Sequence, residues 1–319
     1  MKSKAKVILW SILCVFTSVS CSRTYLPMEK DLLNDEDYPP GDIDTNYYKL
    51  ELTNNIPFPI YVMEPAEIWA QVVNYGPDTP LRDPEQVDFM ITREGKDFSD
   101  DNDSIGYIGY TGKSGDIYEF EKSMRTPGKW TVRAVARFNF NGEYSYLVSN
   151  PIPLTVMYPD ISQISGHPSV VSALNSAWSQ TKADASPTGR NEGYGWIFIR
   201  TETAPDNILV FDVEGSTAGP VVQCGTTASS LFSPPSDTFP ENPLEGGTFA
   251  VAYYHTHTPL TYCCSGNPRA TGPSSQDSLY AVKYPEIVVH YEGQNVYPCD
   301  PIDDFFTFYQ YGPQRRQFP

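Results

Sequence analysis

Histidine is scarce in this chain, with four residues among 319, and cysteine nearly so, with six. No Cys-x-x-Cys pair occurs, which argues against a cysteine zinc site. Cations are outnumbered, with 22 Lys and Arg against 39 Asp and Glu. The resulting net charge of −17 repels phosphate backbones and excludes a general nucleic-acid binder. Long apolar helical runs are few. The one acidic run, Asp100-Asp101-Asn102-Asp103, lacks the ligand spacing and terminal Glu of a calcium loop and reads as a solvated turn. What the chain has instead is 22 Tyr, 16 Phe and 29 Pro, a mixture that favours strands joined by extended loops.

The N-terminus opens Met-Lys-Ser-Lys-Ala-Lys and continues into a short apolar stretch, VILWSILCVFTSV. That is the pattern of a signal peptide, and the stretch is short for a membrane-spanning helix. It ends at Ser18-Val19-Ser20-Cys21. Small residues before a cysteine resemble a bacterial lipobox, which implies cleavage and lipidation at Cys21 and an anchor in the bacterial cell envelope. Ser18 stands where that motif usually has Leu. Residues 1–21 are therefore expected to be signal and lipobox, and 22–45, polar and acidic with Pro39-Pro40, a flexible tether. Cys224, Cys263, Cys264 and Cys299 remain, an even number for an oxidising compartment. Cys263 and Cys264 are adjacent, so each is expected to bridge to Cys224 or Cys299, with the pairing left open.

From 46 to 158 short alternating runs are broken by turn residues. Roughly seven strands over about 110 residues fits a β-sandwich. Asn141-Gly142 reads as a hairpin turn between KWTVRAVARFNF and one long strand, EYSYLVSNPIPLTVM. The final strands resemble those of an immunoglobulin-like domain without its disulfide. Trp69 and Trp130 are expected in the core. No catalytic spacing occurs in this half, which reads as a spacer or binding module.

The second part, 160–312 with a tail at 313–319, starts with a helix from Pro168 whose Val171, Leu174 and Trp178 share a face. Strands are expected at YGWIFIRT and NILVFDVEG, then at TFAVAYYHTHTP. Positions i and i+2 of a strand point to one side, so His255 and His257 can converge on one metal. Ser274-Ser275-Gln276-Asp277 opens a helix, with Ser274 as N-cap and Asp277 in its first turn. Two imidazoles and one carboxylate leave a coordination position open, as catalytic zinc requires.

An apolar strand ending in His-x-His, followed by Ser-x-x-Asp at a helix start, resembles the JAMM/MPN zinc metalloproteases. A related bacterial group is found at the ends of large toxins. The likeness spans about Ser165 to Glu292. It implies an α/β (α+β) domain, Zn2+ on His255, His257 and Asp277, and hydrolysis of a protein or peptide amide. It also implies Glu192, before the strand Gly193-Tyr194-Gly195-Trp196, as the general base, and Ser274 as an oxyanion donor. Glu202 and Glu214 are alternatives for the base, and Ser275 for the donor. Thr258 stands where the family has Pro, and the segment between His257 and Ser274 is longer than usual, with a Cys263-Cys264 insertion. His167 and His290 read as structural. The chain is thus expected to be multidomain, an all-β immunoglobulin-like sandwich followed by a JAMM-like domain. The rival to an envelope-anchored metallopeptidase is a non-catalytic surface-binding or adhesion lipoprotein. A secreted effector or its immunity protein is a third, which the lipid anchor disfavours.

Overall fold

The computed structural model describes residues 47–54, 59–76, 83–96, 108–140, 142–215, 217–226, 228, 233, 235–237, 239–264, 269–277, 281–293, 295–297, 299 and 305–318. The signal, Cys21, the tether, the acidic run and Asn141 lie outside these residues. The chain is rich in β structure and arranged in several sheets.

The first sheet orders β1 (Tyr48–Asn54), β3 (Pro65–Asn74), β7 (Ile117–Ser123) and β6 (Gly112–Ser114) as β1-β3-β7-β6. The second contains β2 (Ile60–Tyr61), β10 (Ile152–Met157), β8 (Gly128–Phe140), β4 (Gln86–Arg93) and β5 (Ile108–Gly109), in the order β2-β10-β8-β4-β5. β9 (Glu143–Val148) also pairs with β8. Alternation decides which side is buried. In β3, Ala66, Ile68, Ala70 and Val72 point inward. Phe120 of the first sheet meets Phe89 of the second, with ring centroids 5.3 Å apart.

Three expectations are corrected here. Trp69 falls on the outward parity of β3 and is only half-buried, whereas Trp130 is a core residue. The run EYSYLVSNPIPLTVM is two strands, both paired with β8. Ser149 exchanges bonds with Ala134 through its N–H and its Oγ, and Pro151, which has no N–H to donate, follows. NILVFDVEG keeps only Phe211–Val213 as strand (β12), because Asn207 adopts φ +63° in a turn before it.

Helices α1 (Ile161–Ser165) and α2 (Pro168–Ala183) follow. Pro168 at the first position of α2 suits a helix start. The buried face of α2 holds Val170, Leu174, Ala177, Trp178 and Thr181, so Val170 takes the place expected of Val171. This face packs on a sheet of β12, β11 (Gly193–Arg200), β14 (Thr248–Thr256), β16 (Glu286–Tyr291) and β18 (Phe306–Tyr311), in that order. β13 (Thr217–Ala218) adds to β11. Among the described strands of this sheet, only β14 and β16 pair parallel. β15 (Arg269–Ala270) and β17 (Asn295–Val296) form a separate ribbon. Thr256 of β14 bonds Thr181 at 2.7 Å and Tyr291 of the neighbouring β16 meets Trp178 edge-on, which sets Thr256, past the irregularity in β14, on the side of α2. The odd residues, Tyr253 and His255, must face the other way.

The junction at Tyr158 is core rather than linker. Tyr158 is fully buried, against Phe318 and under the Arg316 guanidinium. Arg316 is itself buried and bonds Asp237 and the Ala250 carbonyl. The stretch set apart as a tail is therefore built into the fold through residue 318. Arg125 donates to the carbonyls of Thr201 and Ala204 and pairs with Asp206. One apolar cluster runs from the first two sheets through α2 into the third.

Candidate metal centre

The register of the third sheet sets the site. Tyr253 lies beside Glu286 and His255 beside Val288 on the parallel neighbour, with Tyr194 of β11 on the other flank. Tyr253, His255, Glu286 and His290 thus share the face turned away from α2. Just past the strand, His257 continues the parity and its N–H donates to the Val289 carbonyl. Asp277 arrives from the crossover between β14 and β16.

His255, His257 and Asp277 each offer a ligand atom, and these atoms lie within 4.8 Å of one another. His257 Nε2 is 3.4 Å from Asp277 Oδ2, and His255 Nε2 is 3.8 Å from Oδ1. Asp277 is pinned locally. Its Oδ2 accepts from the Ser274 N–H at 2.5 Å, and its own N–H donates to Ser274 Oγ at 3.3 Å. This is a capping-box exchange in which the ligand carboxylate is also the capping group. Ser274 Oγ accepts here, and its own proton has no acceptor among the described residues.

Glu286 was not anticipated. Its Oε1 accepts from His255 Nδ1 at 2.8 Å, and its side chain is only 2% exposed. A carboxylate at this distance fixes the proton on Nδ1 and leaves the Nε2 lone pair aimed at Asp277, the arrangement that orients metal-binding imidazoles. The signal was present in the sequence: Glu286 opens a strand whose six residues are all buried, and a buried charge demands a partner. Tyr253 stands over this pair, and burial followed by the Glu286 charge raises its hydroxyl pKa. His290 was expected to be structural, and it does accept from the Gly272 N–H at Nδ1. Its ring also abuts His257, with centroids 4.6 Å apart. Burial, then His257 and His255, lowers its pKa to about 3, so it stays neutral. His167 lies apart, at the start of α2, bonded to Ser169.

Glu192 precedes β11 at the end of the sheet where His255 sits. Burial raises its pKa, opposed in part by His255 and His257. For Asp277 burial works in the same upward direction but is outweighed, chiefly by the His257 hydrogen bond, and its pKa falls to about 2. Burial disfavours charge on His255, yet Glu286, Asp277 and Glu192 together raise its pKa. The alternatives for the base are elsewhere. Glu202 accepts from Thr248 at the opposite end of β14, and Glu214 is exposed, with its carbonyl bonded by Tyr254. Ser275 is exposed beside Ser274.

The donor set suits a divalent ion such as zinc: two imidazole nitrogens and one carboxylate, one ligand short of the four that zinc usually takes. The buried Glu286 charge fits as well. It faces an imidazole whose far nitrogen would meet the cation, so the carboxylate balances charge that the ion brings.

The adjacent cysteines are each tied to a different segment, Cys263 to Cys224 and Cys264 to Cys299. The N–H groups of Cys263 and Cys299 both donate to the Leu260 carbonyl, three residues past His257. The insertion after the His-x-His motif is thus fastened beside the site, and the two disulfides fit an oxidising compartment. No helix among the described residues is long and apolar enough to cross a membrane. No family model matches the chain, and neither a curated protein nor a solved structure matches it, so the functional reading rests on the geometry of His255, His257, Asp277, Glu192 and Glu286.

Proposed function

We propose that this protein is a zinc-dependent amide hydrolase of the JAMM metalloprotease type, acting on a protein or peptide at the bacterial envelope. The observation that carries the reading is the convergence of His255, His257 and Asp277, with ligand atoms within 4.8 Å, next to a carboxylate on Glu192 whose pKa is raised. Zinc held there would supply Lewis acidity and a water acidified toward neutral pH. Glu192 takes a proton from the attacking water and delivers it to the leaving amine as the C–N bond breaks. The Ser274 hydroxyl donates to the oxygen that gains negative charge. Glu286 keeps His255 in the tautomer that presents Nε2.

In this reading the first two sheets are an immunoglobulin-like module, and Cys21 carries the lipid that tethers the molecule to its membrane. The anchor is tested by the mass of the mature protein and by Cys21→Ser, which should release it from the membrane fraction. The metal is tested first, by elemental mass spectrometry on the purified protein. Near-stoichiometric zinc, lost in a His255→Ala/His257→Ala double variant, is the expected result. A protein that retains no zinc after exposure to excess metal would leave a binding lipoprotein without the chemistry.

A further inference from the structure

Against a net charge of −17, two arginines lie beside the metal centre. Arg190 stands two positions before Glu192, and its backbone exchanges hydrogen bonds with Val222. Its side chain is 2% exposed. Nη1 donates to the Pro259 carbonyl at 3.3 Å. Nε and Nη2 are buried and have no hydrogen-bond partner among the described residues. Its charged neighbours are Arg269, which adds like charge, and Glu192. Arg269 is exposed on β15, and its charge also acts on His290.

A structural arginine in this chain looks different. Arg316, also buried, is bonded to Asp237 and the Ala250 carbonyl and lies over three aromatic rings. Among the described residues Arg190 has neither a carboxylate partner nor a ring, and a second cation stands nearby. Leaving two guanidinium nitrogens buried and unpaired is costly. A carboxylate removes that cost, because its two oxygens match the planar N–H fork. The segment paired with the Arg190 backbone reaches the surface one residue away, at Val221, which is 72% exposed. Glu192, two residues on, is half-buried.

We infer that Arg190, flanked by Arg269, is a specificity residue that receives a substrate carboxylate carried next to the scissile amide. The substrate class is then a peptide with either a free C-terminus or an acidic side chain at that position. The inference rests on the hydrolase reading for its biological sense, but it is measured without metal.

The test uses the full protein stripped of zinc, at a fixed pH of about 8. Three probes are titrated while the Arg190 Nε–H resonance is followed by NMR: N-acetyl-Ala-Ala, its C-terminal amide, and the amide of N-acetyl-Ala-Glu. Saturable shifts with one or both carboxylate probes, and binding of the neutral amide weaker by about tenfold or more, are expected. Which acid shifts the resonance tells the terminal carboxylate from the side-chain one. Arg190→Gln should abolish the preference while leaving zinc content unchanged. Equal binding of all three probes, or no shift with any, overturns the inference on the unaltered protein, whether or not the variant folds. Carboxylate selectivity in a protein that never holds zinc would sink the hydrolase reading alone. Zinc binding without selectivity would sink only the role of Arg190.

Discussion

His255 is held from both ends, and the two contacts make separable predictions. Its Nδ1–H donates to Glu286 at 2.8 Å, while Nε2 faces the Asp277 carboxylate. Removing the charge with Glu286→Gln keeps the size of the side chain and lets the amide turn either an oxygen or an N–H toward the ring. Zinc affinity should fall by about 10- to 100-fold in a chelator competition. Acidification gives a second signature. A metal on Nε2 competes with a proton there, and the surrounding carboxylates raise the pKa of His255 above the ordinary imidazole value of about 6.5. The sign is therefore that zinc affinity starts to weaken, as the pH falls, at a higher pH than an ordinary imidazole would give. In Glu286→Gln the onset of that weakening should move to lower pH, even as affinity at pH 8 declines. Asp277, with its pKa near 2, stays ionised throughout and adds no step in that range. Glu192 acts differently. Glu192→Gln should leave zinc bound and lower kcat by about 10²- to 10⁴-fold on any amide the protein cleaves, the range expected for loss of a general base. Loss of zinc together with activity in that variant would make Glu192 a metal-site residue and not a base.

Helix α2 and strand β14 meet through a small set of contacts that hold the histidines in register. Thr256, between the two histidines, receives the Gly193 N–H at 2.8 Å and bonds Thr181 of the helix at 2.7 Å. Trp178 fills the space below, against Tyr291 and Phe306. Trp178→Ala should cost about 3–5 kcal/mol of stability, read from denaturant unfolding, because the cavity it leaves is fully enclosed. These elements were legible from sequence for good reasons. The helix has a 3.6-residue period and a Pro at its start, and β14 is a long apolar run with a polar end. What escaped has equally physical causes. Trp69 was assigned to the core on its size, but side chains alternate along a strand and its own parity points outward. Ser149–Pro151 breaks a strand that hydropathy alone reads as continuous. Glu286 pairs with a histidine over 30 positions earlier, through a parallel crossover whose register no local pattern reveals. The pairing of two adjacent cysteines depends on which segments the fold brings to Leu260, and nothing in the spacing selects it.

The first two sheets and the third share one apolar cluster and are fastened by charged side chains whose partners lie far along the chain. Residues 40–319 make one compact unit, so a site on the third sheet is braced by residues that sequence reading assigned to a separate spacer. Arg316 shows how. It comes from the last residues of the chain and reaches Asp237 and Ala250 under Tyr158, at the place where a domain boundary was expected. Its pairing with Asp237 is nearly closed to solvent, with side chains 7% and 4% exposed. Breaking such a pair from one side leaves an uncompensated buried charge. Arg316→Met should therefore destabilise by about 3–5 kcal/mol, whereas Arg316→Met combined with Asp237→Leu should recover much of that loss. Because the bond ties the chain end to both halves, the variant also tests whether they unfold together. Calorimetry of the parent should give a single transition whose van't Hoff and calorimetric enthalpies agree. In Arg316→Met that transition should move to lower temperature and stay single. Two resolved transitions in the parent would mean that the sheets before and after Tyr158 melt independently, and that the brace on the metal centre is weaker than its buried contacts imply.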